Sequence, residues 1–214
     1  MKNMVGKKIK KMKSRVKRWA NTIYPMPYHF GDKKLKQRKK YEPDYKVLAR
    51  SLLTHISFES VMDVGCAQGF LLEPLYDMGV DISGVEKSED VLKFTPEILI
   101  PHIHIGDFSE ATGSYDLVCC VEVAEHIEPT RSEELVDKLC SLSERYIYFT
   151  AAPPGQAGHG HINCRPHEQW IQWFNQSNYF VKQSVTNKIK TDLGDLKYAE
   201  WLQGNSLLFG TVDG

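Results

Sequence analysis

The sequence predicts a doubly wound α/β fold: a Rossmann-like, seven-stranded, mostly parallel sheet with a basic helical extension at the N-terminus. Three observations carry that reading. Ser60 to Leu72 reads as a short apolar strand, a glycine turn and the first turn of a helix. Strand-like and helix-like segments then alternate down the chain, as a layered parallel sheet requires. A series of acids also closes the strands, at the edge where such sheets bind ligands.

The elements follow in order. Val61 to Val64 form the first strand, and Gly65 and Gly69 let the backbone turn tightly with no Cβ in the way. The next helix runs from Phe70 to about Met78, with Gly79 at its C-cap. A second strand, Asp81 to Glu86, ends in a carboxylate 21 residues after Gly65, the spacing at which an acid closes on ribose hydroxyls. A short helix (Ser88 to Phe94) and a third strand (His102 to Ile105) follow. Tyr115 to Val121 is apolar almost throughout, as a strand covered on both faces should be. Helix Thr130 to Leu142, strand Arg145 to Ala151 and helix Pro166 to Gln176 complete the alternation. Two last strands, near Phe180 to Lys188 and Ser206 to Val212, are expected to form an antiparallel end of the sheet. Upstream, Val47, Leu48, Leu52 and Ile56 mark a helix over Asp44 to His55, which brings Tyr41 and Tyr45 near the pocket mouth, as packing residues.

The zero net charge hides an asymmetry. Residues 1–40 hold 15 of the 27 Lys and Arg and a single acid, Asp32, while the acids concentrate in the remainder. Val5, Ile9, Met12, Val16, Trp19 and Ile23 recur at steps of four and three, an apolar stripe opposite a basic face. Such a helix suits a membrane surface, docking on its own domain, or a nucleic-acid contact. Tyr24-Pro25-Met26-Pro27 ends it, and Lys33 to Lys40 is a second basic run. The sequence contains no apolar run long enough to span a bilayer. Five cysteines without C-x-x-C spacing read as reduced thiols in a cytoplasmic protein, with surface association with a membrane open through residues 1–23.

A glycine turn followed by an acid suits either a dinucleotide or S-adenosylmethionine. The loop Gly65-Cys66-Ala67-Gln68-Gly69 is one residue short of G-x-G-x-x-G between its outer glycines. Asp63 before it would repel a pyrophosphate but attract a sulfonium and an amino group. Asp107, after the third strand, is placed to accept from an adenine amino group, with Phe108 available to stack on the ring. An NAD-dependent dehydrogenase is therefore the weakest reading.

Through Asp63-Val64-Gly65-Cys66-Ala67-Gln68-Gly69, Glu86, Asp107 and Tyr115-Asp116-Leu117-Val118, the chain resembles the class I S-adenosylmethionine-dependent methyltransferases. Ala67 departs from the family's middle glycine and narrows the loop conformations available. The resemblance covers about residues 43–212, and divides the chain into a basic extension, 1–42, and a methyltransferase domain, 43–214. It implies S-adenosylmethionine as methyl donor and S-adenosylhomocysteine as product. The implied cofactor site is Asp63, Gly65, Cys66, Ala67, Gly69, Phe70, Glu86, Lys87, Asp107, Phe108 and Glu122.

Catalytic candidates must lie at the ends of strands four and five. There the sequence has Glu122-Val123-Ala124-Glu125-His126 and His159-Gly160-His161-Ile162-Asn163. Glu122, Glu125 and His126 share a face on a helical turn. The resemblance allows this segment to line an acceptor pocket over the cofactor. A similar segment plus a distant histidine holds a divalent metal in the terminal 2′-O-methyltransferases of small RNAs; the plain alternative is that it caps the following helix. No metal is assigned from sequence. His161 is the preferred general base, oriented by Asn163, with His126 as second candidate and His167 facing solvent. Glycines around His159 suit a moving loop.

The leading function is thus methyl transfer to a hydroxyl, or another nucleophile, of a small molecule or glycan. The alternatives are an RNA ribose methyltransferase with a metal at Glu122, Glu125, His126 and His161, or a catalytically silent S-adenosylmethionine-binding protein. The roles for the basic arm separate experimentally. If it binds RNA, affinity falls steeply with salt; if it binds anionic liposomes, affinity persists better in salt and falls with Trp19→Ala.

Overall fold

A computed structural model describes residues 31–212. The expected amphipathic helix over Val5 to Ile23 lies outside the described residues. The sheet has seven strands in the order β3-β2-β1-β4-β5-β7-β6. These are β1 (Ser60–Val64), β2 (Asp81–Glu86), β3 (Ile103–Ile105), β4 (Tyr115–Val121), β5 (Ser143–Thr150), β6 (Phe180–Val181) and β7 (Leu207–Gly210). The first five pair in parallel, and β7 lies antiparallel to both β5 and β6. The strand order reverses between β1 and β4, so the crevice opens where β1, β4 and their following loops diverge.

The central strands show the period-two logic of a sheet buried on both sides. Along β4, Leu117, Cys119 and Val121 enter one core while Val118 and Cys120 enter the other. In β5, Tyr148 takes the first side, and Ile147 and Phe149 the second. The first core is covered by α2 (Glu42–His55), α3 (Leu72–Asp77), α6 (Gln183–Asp192) and α7 (Trp201–Asn205), through Leu48, Leu52, Leu72, Leu75, Ile189 and Leu202. The second is covered by α4 (Ser132–Leu142) and α5 (His167–Gln176), through Leu135, Leu139, Trp170 and Phe174.

Buried polar contacts fix the helices on this frame. Asp44 on α2 accepts from the backbone N–H groups of Lys197, Tyr198 and Ala199 at 3.1, 2.6 and 2.6 Å. Ser51 Oγ and His55 Nε2 meet the Asp192 carboxylate at 2.7 and 2.8 Å, which ties α2 to α6.

Two sequence expectations are corrected. The segment expected as a strand from Phe180 to Lys188 pairs over only two residues and then becomes α6. Its β-branched residues suggested a strand. Val185 and Ile189, four apart, instead stack on one helical face against the first core, while Thr186 Oγ1 accepts from Leu208 N. The second basic run carries a helix: Asp32–Arg38 forms α1, its Leu35 is fully buried, and the Leu35 carbonyl accepts from Gln68 Nε2 at 3.1 Å. Ser88 to Phe94, expected as a helix, is a 3-10 turn from Glu89 to Phe94.

Gly84 in β2 explains how the glycine loop sits so low on the sheet. A Cβ at Gly84 would stand 2.7 Å from Cys66 Sγ and 2.9 Å from Leu72 Cδ1. Gly84→Ala is expected to destabilise the protein by about 1–3 kcal/mol through overpacking, with partial rescue by Cys66→Gly, measured by urea unfolding.

Candidate active site

The glycine loop is held in shape by β2. Gly65 N donates to Val85 O at 2.8 Å, and the Glu86 carboxylate accepts from Ala67 N at 3.0 Å and Ser88 N at 2.8 Å. Gly65 and Gly69 have φ of 80° and 82°, and a Cβ on Gly65 would collide with the Val123 side chain. Ala67, at the family's middle glycine position, also takes a left-handed φ, 46°. Glu86 fixes that strained residue from outside. Cys66 and Phe70 are buried, and Phe70 packs on Tyr45 with ring centroids 6.0 Å apart.

Asp63 is only 4% exposed, and burial followed by the nearby Glu86 carboxylate pushes its pKa up to about 7. Among the described residues no basic side chain pairs with it. A buried acid here favours a cationic ligand, which lowers the cost of its charge. Glu86 keeps acceptor capacity beyond its two backbone donors. These features fit the cationic donor that the sequence indicated.

Asp107 and Phe108 are placed differently from the expectation. Both Asp107 oxygens are engaged by Arg131, at 2.8 and 3.0 Å, and Ser109 donates to Oδ1 from its N–H and hydroxyl. The guanidinium, with help from Ser109, holds the Asp107 carboxyl well below the usual carboxylate range. Phe108 is buried in the second core, and the Arg131 guanidinium lies 4.3 Å from its ring centroid. The open aromatic face expected for a base is therefore covered. Lys87 is exposed and stands 3.7 Å from Asp107.

Glu122, the residue after β4, has φ 55°, its N–H held by Thr150 O and Thr150 Oγ1. Its carboxylate accepts from Asn205 Nδ2 at 2.9 Å and Gln156 Nε2 at 3.4 Å. Ala124–His126 is one 3-10 turn, so Glu122, Glu125 and His126 do not share a regular helical face. Glu125 turns inward and is fully buried, and neither carboxylate oxygen meets a hydrogen-bond partner within normal geometry. Burial, then the Glu122 carboxylate beside it, pushes the Glu125 pKa upward.

The loop after β5 wraps onto this turn. Ile162 N and Asn163 N donate to Glu125 O, His126 Nδ1 pairs with Gly160 O at 2.9 Å, and His161 Nδ1 pairs with Gln156 O at 3.1 Å. His161 Nε2 stands 3.9 Å from Glu125 Oε1, and the His126 and His161 rings meet edge to face at 5.1 Å. Burial is the main reason that the His126 pKa falls to about 4, against the Gly160 carbonyl, which raises it. Gly158 is needed for close approach, because a Cβ there would run into the His161 ring.

The structure thus brings His126 and His161 together and adds Glu125. It separates Asn163, whose Nδ2 donates to Ala124 O and Ser132 Oγ and whose Oδ1 accepts from Arg165. Gln156 O, not Asn163, orients His161. His167, expected to face solvent, pairs with Ala151 O at 3.1 Å. Arg131, Gln156 and Asn205 were missed, since their partners lie far along the chain and no local pattern marks them.

Comparison with known proteins places this geometry. Residues 35–184, more than half of the chain, match the family described as methyltransferase domain. A stretch of 102 residues is 30% identical to the chloroplastic magnesium protoporphyrin IX methyltransferase of Arabidopsis thaliana, covering 44% of this chain and 33% of that protein. Another of 81 residues is 30% identical to the ubiquinone biosynthesis O-methyltransferase of Bordetella avium, covering 34% of each. The matched part thus spans about a third of these curated relatives. In fold, the chain is similar to the magnesium protoporphyrin IX methyltransferase of Synechocystis PCC 6803, solved with bound S-adenosylhomocysteine (TM-score 0.61, 15% identity, covering 92% of this chain and 94% of that one). With the glycine loop, the acids at the strand ends and the family match in agreement, the chain belongs to the class I S-adenosylmethionine-dependent methyltransferases.

Proposed function

We propose that this chain transfers the methyl group of S-adenosylmethionine to a hydroxyl group of a small molecule or glycan. The reading rests on one observation above all: Glu125, His126 and His161 converge at the carboxyl ends of β4 and β5, beside the strand ends that carry Asp63 and Glu86. When bound, the donor supplies a methyl carbon already activated by its sulfonium leaving group. The protein's task is to hold the acceptor in line and to take its proton.

Asp63 and Glu86 are assigned to the donor's cationic and ribose ends, and the loop Gly65 to Gly69 to close approach. Glu122, fixed by Asn205 and Gln156, forms the wall between donor and acceptor. His161, with Nδ1 held by a carbonyl, presents Nε2 toward Glu125 and is the candidate proton acceptor; His126 stands against it. The relatives named for small-molecule substrates support a small acceptor. Residues 1–23 are proposed to hold the enzyme at a membrane surface; among the described residues no helix is long and apolar enough to cross one.

Two outcomes test this. Calorimetry should detect S-adenosylhomocysteine binding, weakened about tenfold or more by Glu86→Gln. His161→Ala should keep that binding while losing transfer of labelled methyl into a hydroxylated metabolite and glycan fraction. Absence of binding, or label appearing in RNA instead, would overturn the reading. The second outcome concerns pH. The folded-state pKa of Asp63 lies above its unfolded value, so the native state holds the extra proton. Its contribution to stability therefore falls as pH rises from about 4 to about 7, and is flat above. The stability difference between wild type and Asp63→Asn should show that slope. At about pH 6, donor binding should release a proton in the wild type only, read by calorimetry in buffers of different ionisation enthalpy.

A further inference from the structure

We propose that Tyr41 and Trp201, with Lys40 beside them, form the acceptor subsite at the mouth of the crevice. They select a small acceptor that carries a flat ring and an acidic substituent. What happens to the bound ring rests on the methyl-transfer reading above; its binding does not. Three observations lead to this assignment.

The first is where the two aromatics stand. Helix α2 ends at His55 and β1 begins at Ser60, so the N-terminal end of α2 lies at the carboxyl edge of the parallel strands, where the crevice opens. Tyr41 closes the 3-10 turn that runs straight into α2, four residues before Tyr45. Tyr45 faces the crevice. Its ring meets Phe70, and burial, then the nearby Asp63, Glu122 and Glu125 carboxylates, raise its phenol pKa, with the Arg38 charge opposing them. Helix α7 repeats the pattern: Asn205 donates to Glu122 at 2.9 Å, and Trp201 stands four residues earlier. Residues four apart share a helical face. Each helix thus offers an inner group toward Glu122 and an outer aromatic about 6 Å farther along its axis. The inner pair bounds the reacting end of an acceptor, and the outer pair bounds its body.

The second is the shape of the outer pair. The Tyr41 and Trp201 rings meet at 76° with centroids 5.5 Å apart, which makes a corner of two near-perpendicular walls. Trp201 is 38% exposed and Tyr41 is half-buried, so the corner is open to a ligand. A flat ring seated there stacks on one wall and turns its edge to the other, the two contacts that aromatic faces favour. The corner is also preformed. Asp44, in the first turn of α2, accepts from the N–H groups of Lys197, Tyr198 and Ala199, which fixes the segment leading into Trp201 on the turn that follows Tyr41. Little freedom is left to lose when a ligand arrives.

The third is charge. Lys40 Nζ lies 4.9 Å from the Tyr41 ring centroid, is exposed, and forms an ion pair with no carboxylate among the described residues. It belongs to the basic run Lys33 to Lys40, whereas Glu86 and Glu122 line the inner crevice. An acidic group on the acceptor is therefore repelled from the inner end and drawn to the rim. Charge of this kind sets the register of a ligand more than its affinity, and it turns the hydroxyl of the ring inward, toward His161.

The test measures binding of two acids to the full chain: 3,4-dihydroxybenzoate, with an aromatic ring, and glucuronate, with a sugar ring. Ligand-detected NMR, with and without S-adenosylhomocysteine, should show one of them bound, and which one binds identifies the ring type. Trp201→Ala should weaken that acid about fivefold or more, and Trp201→Phe should restore most of the loss. Lys40→Gln should weaken it about threefold at low salt and leave the matching neutral ring, catechol or glucose, unchanged. S-adenosylhomocysteine affinity and melting temperature should stay close to wild type in all three variants, which separates a lost contact from a damaged fold. Loss of nucleoside affinity together with the acid would make Tyr41 and Trp201 packing residues and overturn the proposal. Equal binding of the acid by wild type and Trp201→Ala, or no binding of either acid by wild type, would overturn it too. An acid held at Trp201 by a chain that takes up no S-adenosylhomocysteine would leave the subsite standing and remove the methyl-transfer reading.

Discussion

Desolvated acidic charge at the carboxyl ends of the parallel strands is the constraint around which this structure is arranged. Asp63 at β1 and Glu125 just beyond β4 are buried without cationic side-chain partners among the described residues. An isolated charge in such surroundings costs several kcal/mol, so these groups shift toward their protonated forms. A core built for stability alone would place apolar residues there. Their presence in a crevice at the point where strand order reverses is a cost accepted for binding.

The surrounding backbone is committed to the same end. Ala67 and Glu122 are non-glycine residues in the left-handed region, and both stand at the crevice. Each is held from outside: Ala67 by the Glu86 carboxylate, Glu122 by the backbone and hydroxyl of Thr150. Strain of this kind persists only where neighbouring hydrogen bonds over-determine the conformation. Glu86 thereby shapes the loop, and under the proposed function it also presents its remaining acceptor capacity to the donor's ribose.

The site is also assembled from distant parts of the chain. Helix α1 reaches the glycine loop through the Leu35 carbonyl and Gln68, and Asn205 at the end of α7 reaches Glu122. Arg131 leads into α4 and clamps Asp107 while covering Phe108. Under the proposed function, the groups assigned to donor and acceptor are therefore tied to distant elements through a small number of side chains. Disturbing Asn205 or Arg131 would reach the pocket without touching either reactant.

Local sequence determined the glycine turn, the acids at the strand ends, the alternation of strands and helices and therefore the fold class. Those signals are short-range: a positive φ at a turn is cheapest for glycine, and a strand covered on both faces needs an unbroken apolar run. What sequence could not decide was set by contacts between residues far apart. The segment after Val181 becomes helix α6 because Val185 and Ile189 find the first core, although its β-branched residues equally suit a strand. Phe108 is buried in the second core with Arg131 over its ring, and Asn163 turns from His161 to Ser132. Glu125 meets His161 only because the loop after β5 folds back over the turn after β4. The residue types of the site were legible along the chain; their burial and their partners were not, since both are properties of the packed molecule.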